Sequence, residues 1–390
     1  MVRLLFKGRL GWKGLKQSEY VENGYAYLIA NKHINNGYIN WKSADQINQF
    51  RYEESPEIAL EKDDIIFSKD GALGNPALVK ELPKPSTINS TMMLVRLNSK
   101  TISPDFFYQI LLGPSFNKLI YLKVSGSSIP HLFQSDMKEF RFHAPTINEQ
   151  KKIGNFFSKL DRQIELEEEK LELLEQQKKG YMQKLFSQEL RFKDENGNEY
   201  PAWTLTELST IFKKYQNTIY LKDEQEYKRI SISNKGIISH RDITLGKEIG
   251  RKRQYVIDLD NHPNTLTFIR QGVFLGGIGF IPKSLNHYIV TENMPLLSMN
   301  PNYNKLFMTY LFESEAYYKN VILKNMPIGS AQKSLHEKEW LQSIVSIPLL
   351  EEQEKIGNFF NKIDNLINLQ ANKVQLLKQR KQGLLQKMFV

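Results

Sequence analysis

The sequence contains no cysteine among its 390 residues, so it has neither a disulfide framework nor a thiolate metal site. It also lacks any run of about 18 apolar residues, the length that crosses a bilayer as a helix. The first residues, MVRLLFKGRLGW, hold too short an apolar stretch for a signal peptide. A chain without cysteine suits a reducing compartment. We therefore expect a soluble, cytoplasmic protein.

Recognisable catalytic and cofactor motifs are missing as well. There is no P-loop pattern GxxxxGK[ST], no glycine-rich dinucleotide fingerprint and no HExxH zinc motif. The seven histidines are scattered, without the spacing of metal ligands on a helix. The sequence therefore predicts a chain without catalytic residues, metal or bound cofactor.

Charge of one sign is in excess. The formal net charge is +10 and the pI is about 9.3. The excess is spread over both halves of the chain rather than held in a basic tail. This distribution favours folded surfaces that face a polyanion, most often nucleic acid. The alternative is a protein that is basic without such a partner.

One segment is present twice. EQKKIGNFFSKLD at 149–161 returns as EQEKIGNFFNKID at 352–364, an offset of 203 residues. Between 153–186 and 356–389, 18 of 34 positions are identical, while the match fades upstream to isolated residues. The chain is therefore a tandem duplication whose helices stay alike and whose globular parts have diverged.

Both copies repeat apolar residues every three or four positions, which predicts two long coiled-coil helices of about 50 Å. We expect the helices to pack antiparallel along these contact positions. In the first helix they are Phe157, Leu160, Ile164, Glu167, Leu171, Leu174 and Lys178, with Tyr181 near its end. In the second they are Phe360, Ile363, Ile367, Gln370, Val374, Leu377 and Lys381, with Met388 near its end.

The polar contact positions suggest a register. Antiparallel packing predicts Glu167 near Lys381 and Lys178 near Gln370, because buried polar residues commonly fix register. It also places the acidic middle of the first helix beside the basic end of the second. The alternative for most of these glutamates is a solvated face.

The globular segments mix strands and helices in the same order, which predicts an α+β class. Strand patterns are followed by a helix at 103–124 in the first half and 302–321 in the second. Last strands are predicted at 140–145 and 343–348. At the offset of 203 the segment 203–208 falls before residue 6, so we expect an incomplete N-terminal edge. The predicted boundaries are 1–148 for a first domain, 149–187 for a central helix, 188–350 for a linker and second domain, and 351–390 for a C-terminal helix.

These segments resemble the specificity (S) subunits of type I restriction–modification enzymes. PTINEQKKIGNFFSKLD (145–161) and PLLEEQEKIGNFFNKID (348–364) carry the resemblance, as do the helix ends KKGYMQKLF and KQGLLQKMF. The resemblance implies two mixed α/β target recognition domains in a pseudo-two-fold tandem repeat, joined by two long antiparallel coiled-coil helices. Each domain would recognise half of a bipartite, asymmetric double-stranded DNA site, and the helices would set the spacer.

The same resemblance implies partners. Two methyltransferase (M) subunits would dock on the helices, and restriction (R) subunits would complete the assembly. S-adenosylmethionine, ATP and Mg would then bind the partner subunits, and this chain would bind no cofactor and no metal.

Residues that contact DNA are expected among polar and basic side chains on loops. The alternative for each candidate is a solvated surface residue. The candidates are Asn31, Lys32, Lys69, Ser127 and Ser128 in the first domain, and Lys235, Arg251, Lys252, Arg253, Ser330, Gln332 and Lys333 in the second.

Two other classes of function compete with DNA recognition in a restriction system. A non-catalytic coiled-coil adaptor with two nucleic-acid-binding domains would explain the helices and the charge. A stand-alone enzyme would need a catalytic constellation that the sequence does not display.

Overall fold

The computed structural model describes residues 5–7, 15–124, 130–326 and 334–389. The chain divides into two compact units, residues 1–169 with 371–390 and residues 170–370. Both long helices therefore contribute to both units. The predicted α+β class is confirmed.

Within its described residues, the first unit contains nine strands, four short α-helices and the start of a long helix. Pro104 opens the second of these helices, since its fixed φ suits a first helical turn, and Gly113 ends it. The strands are β1 Leu5–Lys7, β2 Ala26–Ile29, β3 Ile34–Asn35, β4 Tyr38–Ile39, β5 Asp45–Ile47, β6 Ile65–Ser68, β7 Gly74–Leu78, β8 Ser86–Ile88 and β9 Met92–Arg96; the helices are α1 Gln49–Glu53, α2 Pro104–Leu112, α3 Pro114–Val124, α4 Gln134–Glu139 and α5 Ile147–Phe186.

The core of the first unit lies between its main sheet and its helices. The antiparallel sheet has the order β1-β9-β6-β7, and a smaller sheet has the order β5-β2-β8 with β2 and β8 parallel. Phe67 of the main sheet packs edge-on against Phe116 of α3 at a ring distance of 5.6 Å. Both rings are fully buried.

The second unit repeats this plan with additions. Asn304 caps its central helix by accepting a hydrogen bond from the Phe307 N–H. The strands are β10 Thr204–Glu207, β11 Phe212–Tyr215, β12 Thr218–Tyr220, β13 Glu226–Ile232, β14 Ile238–Leu245, β15 Arg253–Val256, β16 Thr265–Phe268, β17 Ile278–Phe280, β18 Ile289–Val290, β19 Leu296–Met299 and β20 Ile344–Ile347; the helices are α6 Leu208–Ile211, α7 Lys305–Glu313, α8 Glu315–Tyr317, α9 Glu337–Leu341 and α10 Leu350–Met388.

The main sheets of the two units have the same topology. In the second unit the order is β11-β19-β16-β17, again antiparallel throughout. Lys7 pairs with Leu94 in the first unit, and Lys214 pairs with Leu297 in the second. The second unit adds a five-stranded sheet, β12-β15-β18-β13-β14, that contains the long β13–β14 hairpin.

One predicted strand is wrong. Residues 140–145 have no regular structure, whereas the equivalent segment of the second unit forms β20. A strand needs a hydrogen-bonding partner, and β20 pairs with β10. At the offset of 203, the counterpart of β10 falls on residues 1–4, which lie outside the described residues.

Each copy of the repeated motif connects its long helix to the short helix beside it through hydrogen bonds of a buried glutamine. Gln150 is buried; its side-chain oxygen accepts from the Ser103 N–H, which precedes α2, and its amide donates to the Pro145 carbonyl. Gln353 does the same in the second unit, accepting from the Asn304 N–H and donating to the Pro348 carbonyl. The repeated glutamine therefore satisfies orphan backbone groups at two helix starts.

The repeated glycine is explained by a close approach of helices. A Cβ at Gly154 would lie 2.7 Å from the Cβ of Asp105 and 3.0 Å from the backbone nitrogen of Phe106. A Cβ at Gly357 would lie 2.8 Å from the Cβ of Leu306. Both are sub-van-der-Waals distances, so any other residue would push α5 or α10 off its neighbour.

Each unit is completed by the last turn of a long helix. In the first unit Phe389, just after α10, packs on Phe106 and Phe157 at ring distances of 5.5 and 5.9 Å. In the second unit Phe186, the last residue of α5, packs on Phe307 and Phe360 at 5.7 and 6.2 Å. The same contacts recur because Phe186 and Phe389 are equivalent in the repeat.

The predicted contact positions from Phe157 to Lys178 and from Phe360 to Lys381 are all buried or half-buried, but the helix ends and the register differ from the prediction. Tyr181 and Met388 are exposed, and Met182 and Leu385 are buried instead. Lys381 pairs with Asp161 at 2.6 Å rather than with Glu167. A heptad pattern predicts the contacts between two helices only. At these ends α2 or α7 packs as a third helix, so other residues are buried.

The equivalent ion pair in the second unit joins Lys178 to Asp364 at 2.8 Å, where Gln370 was expected. Asp364 also accepts a hydrogen bond from the Tyr310 hydroxyl. Burial tends to lower the pKa of Lys178, but Asp364 and Glu313 raise that pKa above its usual value. The lysine therefore stays charged in this half-buried contact.

The acidic middle of α5 does meet basic residues of α10. Glu167 pairs with Lys373 and Glu168 with Lys378, both at 2.5 Å within the first unit. As α5 advances from Asp161 to Glu168, its partners on α10 fall from residue 381 to 373–378. This descending order shows that the helices are antiparallel, as predicted.

Candidate nucleic-acid interface

The basic cluster Arg251–Arg253 surrounds a carboxylate of the second unit. Arg251 and Arg253 both approach Glu292, at 2.5 and 3.8 Å. Lys252 points to Asp223 at 2.5 Å and donates to the Gly246 carbonyl. The three cations are therefore held in place, although Arg251 stays two-thirds exposed. A ligand phosphate would meet side chains that are already ordered.

Glu292 also lines a polar cleft of about 130 Å³ together with Lys214, Arg270 and Glu337. Glu337 begins α9 and is almost fully buried. It accepts from Lys214 at 2.5 Å and from both Nε and Nη2 of Arg270, at 3.0 and 2.6 Å. We call Lys214, Arg270 and Glu337 the second-unit cleft.

Two opposing effects act on the Glu337 carboxyl. Burial would raise its pKa, but the hydrogen bonds from Lys214 and Arg270 outweigh burial and hold the pKa at about 2. Glu337 is therefore charged at neutral pH, and its charge offsets part of the positive charge of the two cations.

The first unit has an equivalent cleft of about 330 Å³ that contains Lys69 and Gln134. Lys69 is the counterpart of Arg270, because their carbonyls accept from Leu132 N–H and Leu335 N–H respectively. Among the described residues, the side chain of Lys69 has neither a hydrogen bond nor an ion pair. We call Lys69 and Gln134 the first-unit cleft.

The remaining described candidates are scattered. Asn31 starts a 3-10 helix and accepts from Asn75 at 2.8 Å, and Lys32 beside it pairs with Asp45 at 2.8 Å. Lys235 is exposed in the turn between β13 and β14. These residues remain predictions of DNA contact. The candidates Ser127, Ser128, Ser330, Gln332 and Lys333 lie outside the described residues.

Two groups of residues were not predicted from the sequence. Lys214, Arg270 and Glu337 come together from distant segments, with no local pattern to mark them. Four equivalent exposed leucines of the long helices were also missed: Leu166 and Leu376 in the first unit, and Leu173 and Leu369 in the second, are 47–67% exposed. Their equivalence at the 203-residue offset could have revealed them.

Among the described residues, no group of three or more histidine, aspartate or glutamate side chains could hold a metal ion. The described helices likewise include none that is both long and apolar enough to cross a membrane.

Comparisons with known proteins agree with this architecture. Residues 12–176 match the type I restriction modification DNA specificity domain. The MjaVIII specificity subunit of Methanocaldococcus jannaschii is 24% identical over 392 residues, covering 96% of this chain and 88% of that protein. The putative MjaX specificity subunit of the same organism is 24% identical, covering 87% of this chain and 80% of its own length.

Two solved structures share the fold. The S subunit of a type I restriction–modification system from M. genitalium superposes with a TM-score of 0.55 at 19% identity, covering 99% of this chain and 94% of that one. A chain from a structural study of type I R-M complex assembly and conformational transition gives a TM-score of 0.53 at 16% identity, covering 99% and 97%.

Proposed function

We propose that the chain is a specificity subunit of a type I restriction–modification enzyme, as its similarity to that family indicates, and that each unit recognises one half of a bipartite, asymmetric DNA site. One observation supports this proposal: the two units share a backbone arrangement but present different side chains at equivalent positions. Both units have the same main sheet, yet Lys69 and Gln134 stand where the other unit has Arg270 and Glu337. Equivalent positions with different donors and acceptors would contact different bases.

The two long helices would set the spacer between the half-sites. Each helix has one part in the first unit and the other part in the second. Their length would therefore set the gap between the half-sites. The ion pairs Asp161–Lys381 and Asp364–Lys178 would fix the register of the two helices, and the gap between the half-sites depends on that register.

The exposed leucines are the proposed docking points for two methyltransferase subunits. Leu166 and Leu376 lie equally far along their helices from the Asp161–Lys381 pair, and Leu173 and Leu369 have the same relation to Lys178–Asp364. Each unit thus offers an equivalent apolar pair, which suits two copies of one partner. S-adenosylmethionine, ATP and Mg would bind the partner subunits, since the specificity-subunit family is non-catalytic.

The function is tested by mapping methylated bases in DNA from cells that express this chain with its methyltransferase subunit. We expect one motif made of two different half-sites with a fixed gap. A variant with Arg251, Lys252 and Arg253 replaced by alanine should weaken methylation of that motif, because it loses ordered phosphate partners. A methylated motif made of one continuous half-site would contradict the proposal.

Docking is tested by co-purification of the methyltransferase subunit. Replacing Leu166, Leu173, Leu369 and Leu376 with serine should reduce capture about tenfold or more, since each serine removes roughly 1–2 kcal/mol of apolar contact. The exposed Leu190 and Leu205, changed to serine, provide the control. Equal capture by both variants would rule out this docking surface.

A further inference from the structure

The two clefts share one backbone frame. Leu132 and Leu335 donate to the carbonyls of Lys69 and Arg270 at 2.8 and 2.9 Å. Two residues later, Gln134 and Glu337 occupy the first position of α4 and α9. Gln134 and Glu337 are therefore equivalent, as the offset of 203 also indicates.

The two clefts differ in whether a carboxylate faces their cations. In the second-unit cleft, Glu337 binds both Lys214 and Arg270. In the first-unit cleft, the neutral Gln134 lines the same position. Lys69 makes no side-chain ion pair or hydrogen bond with any part of the chain that the structure describes. At the first position of α4 and α9 the two units therefore differ by one charge, and Glu292 adds a second carboxylate to the lining of the cleft in the second unit.

This difference has consequences for an anion that approaches each cleft. A phosphate at the first-unit cleft would meet Lys69, whose side chain has no partner among the described residues, and such a cation attracts any DNA sequence through charge and counterion release. A phosphate at the second-unit cleft would compete with Glu337 for the same cations. Arg270 is held there through Nε and Nη2, so its remaining N–H donors point in a fixed direction.

Resting on the proposed function, we propose that Glu337 is a positioning residue for specificity, which restrains Lys214 and Arg270 so that the second unit binds DNA only where the sequence fits. With the neutral Gln134 at the equivalent position, the first unit instead binds the phosphate backbone of DNA whatever the base sequence. The chain thereby combines a DNA contact that is independent of base sequence, in the first unit, with one that depends on base sequence, in the second unit.

Reciprocal isosteric substitutions test this inference in the complete complex with the methyltransferase subunit. Binding is measured to a duplex that contains the mapped motif and to one that lacks it, over a range of salt concentrations. Glu337→Gln should raise affinity for the motif-free duplex about tenfold, steepen its salt dependence by about one released counterion, and lower discrimination. Gln134→Glu should lower affinity for the motif-free duplex.

Controls separate charge at the cleft from charge in general and from misfolding. Glu315→Gln removes an exposed carboxylate that pairs with Lys319, so it makes the same change in net charge outside the cleft and should leave discrimination unchanged. Glu337→Asp keeps the charge and should preserve most of the discrimination. If Glu337→Gln leaves discrimination intact, or if Glu337→Asp loses it to the same extent, the inference is overturned.

The proposed function and this inference fail in different ways. A complex that does not prefer the mapped motif in its unsubstituted form contradicts DNA recognition itself. A complex that prefers the motif, but whose discrimination responds to Glu315→Gln as strongly as to Glu337→Gln, contradicts only the role of Glu337.

Discussion

Inserting seven residues into each long helix, after Glu169 and after Gln370, is expected to widen the gap between the two DNA half-sites by about three base pairs. Seven residues add about 10 Å of helix and keep the apolar stripe on nearly the same side. DNA rises about 3.4 Å per base pair, which gives the three-pair increase. The insertion points are those at which the two units divide. Mapping methylated bases measures the gap directly.

The matched control inserts the same seven residues into only one helix. The ion pairs Asp161–Lys381 and Lys178–Asp364 cannot both be kept when one helix is longer than the other. We therefore expect methylation to fall at least tenfold with the single insertion and to be retained with the double insertion. Retained methylation with an unchanged gap in the double variant would refute the role of the helices as a spacer.

The long helices were predictable because one physical pattern specifies them throughout. Their predicted ranges, 149–187 and 351–390, lie close to the observed Ile147–Phe186 and Leu350–Met388. Duplication strengthened the prediction, because the same apolar spacing occurs in two copies. The ends were less predictable, since α2 and α7 pack there and change which residues are buried.

The clefts could not be predicted in the same way. Arg270 and Glu337 are separated by 67 residues, and Lys214 and Glu337 by 123. Their association depends on strand order in the main sheet and on where α9 begins, neither of which leaves a local pattern. The basic run Arg251–Arg253 was visible in the sequence, but the carboxylates that restrain it, Glu292 and Asp223, were not.

The pattern of repeated residues follows from these contacts. Gln150, Gly154, Phe157 and Asp161 touch the helix of their own globular part or the opposite long helix. Each of these contacts recurs in the second unit, where Gln353, Gly357, Phe360 and Asp364 make it. The cleft residues have no such shared contact in the part of the chain that the structure describes: Glu337 binds Lys214 and Arg270, whereas its counterpart Gln134 lines a cleft with Lys69. The duplicated chain can thus keep its helices and vary its recognition surfaces.

Replacing Phe389 with alanine is expected to destabilise the first unit, although Phe389 lies at the far end of the chain from residues 15–169. Its ring packs on Phe106 and Phe157, both fully buried. Phe186→Ala should destabilise the second unit by about 3–5 kcal/mol, because its ring is almost fully buried. Phe389 is only partly buried, so its substitution should cost less, about 2 kcal/mol.

Amide hydrogen exchange of the full chain can assign each loss of stability to a unit, because exchange reports local opening. Phe389→Ala should speed exchange in α2 and β6, and Phe186→Ala should speed exchange in α7 and β16. Phe50→Ala, which removes a ring that is 70% exposed, should change stability by less than about 0.5 kcal/mol. If Phe389→Ala behaves like Phe50→Ala, the last turn of α10 does not complete the first unit.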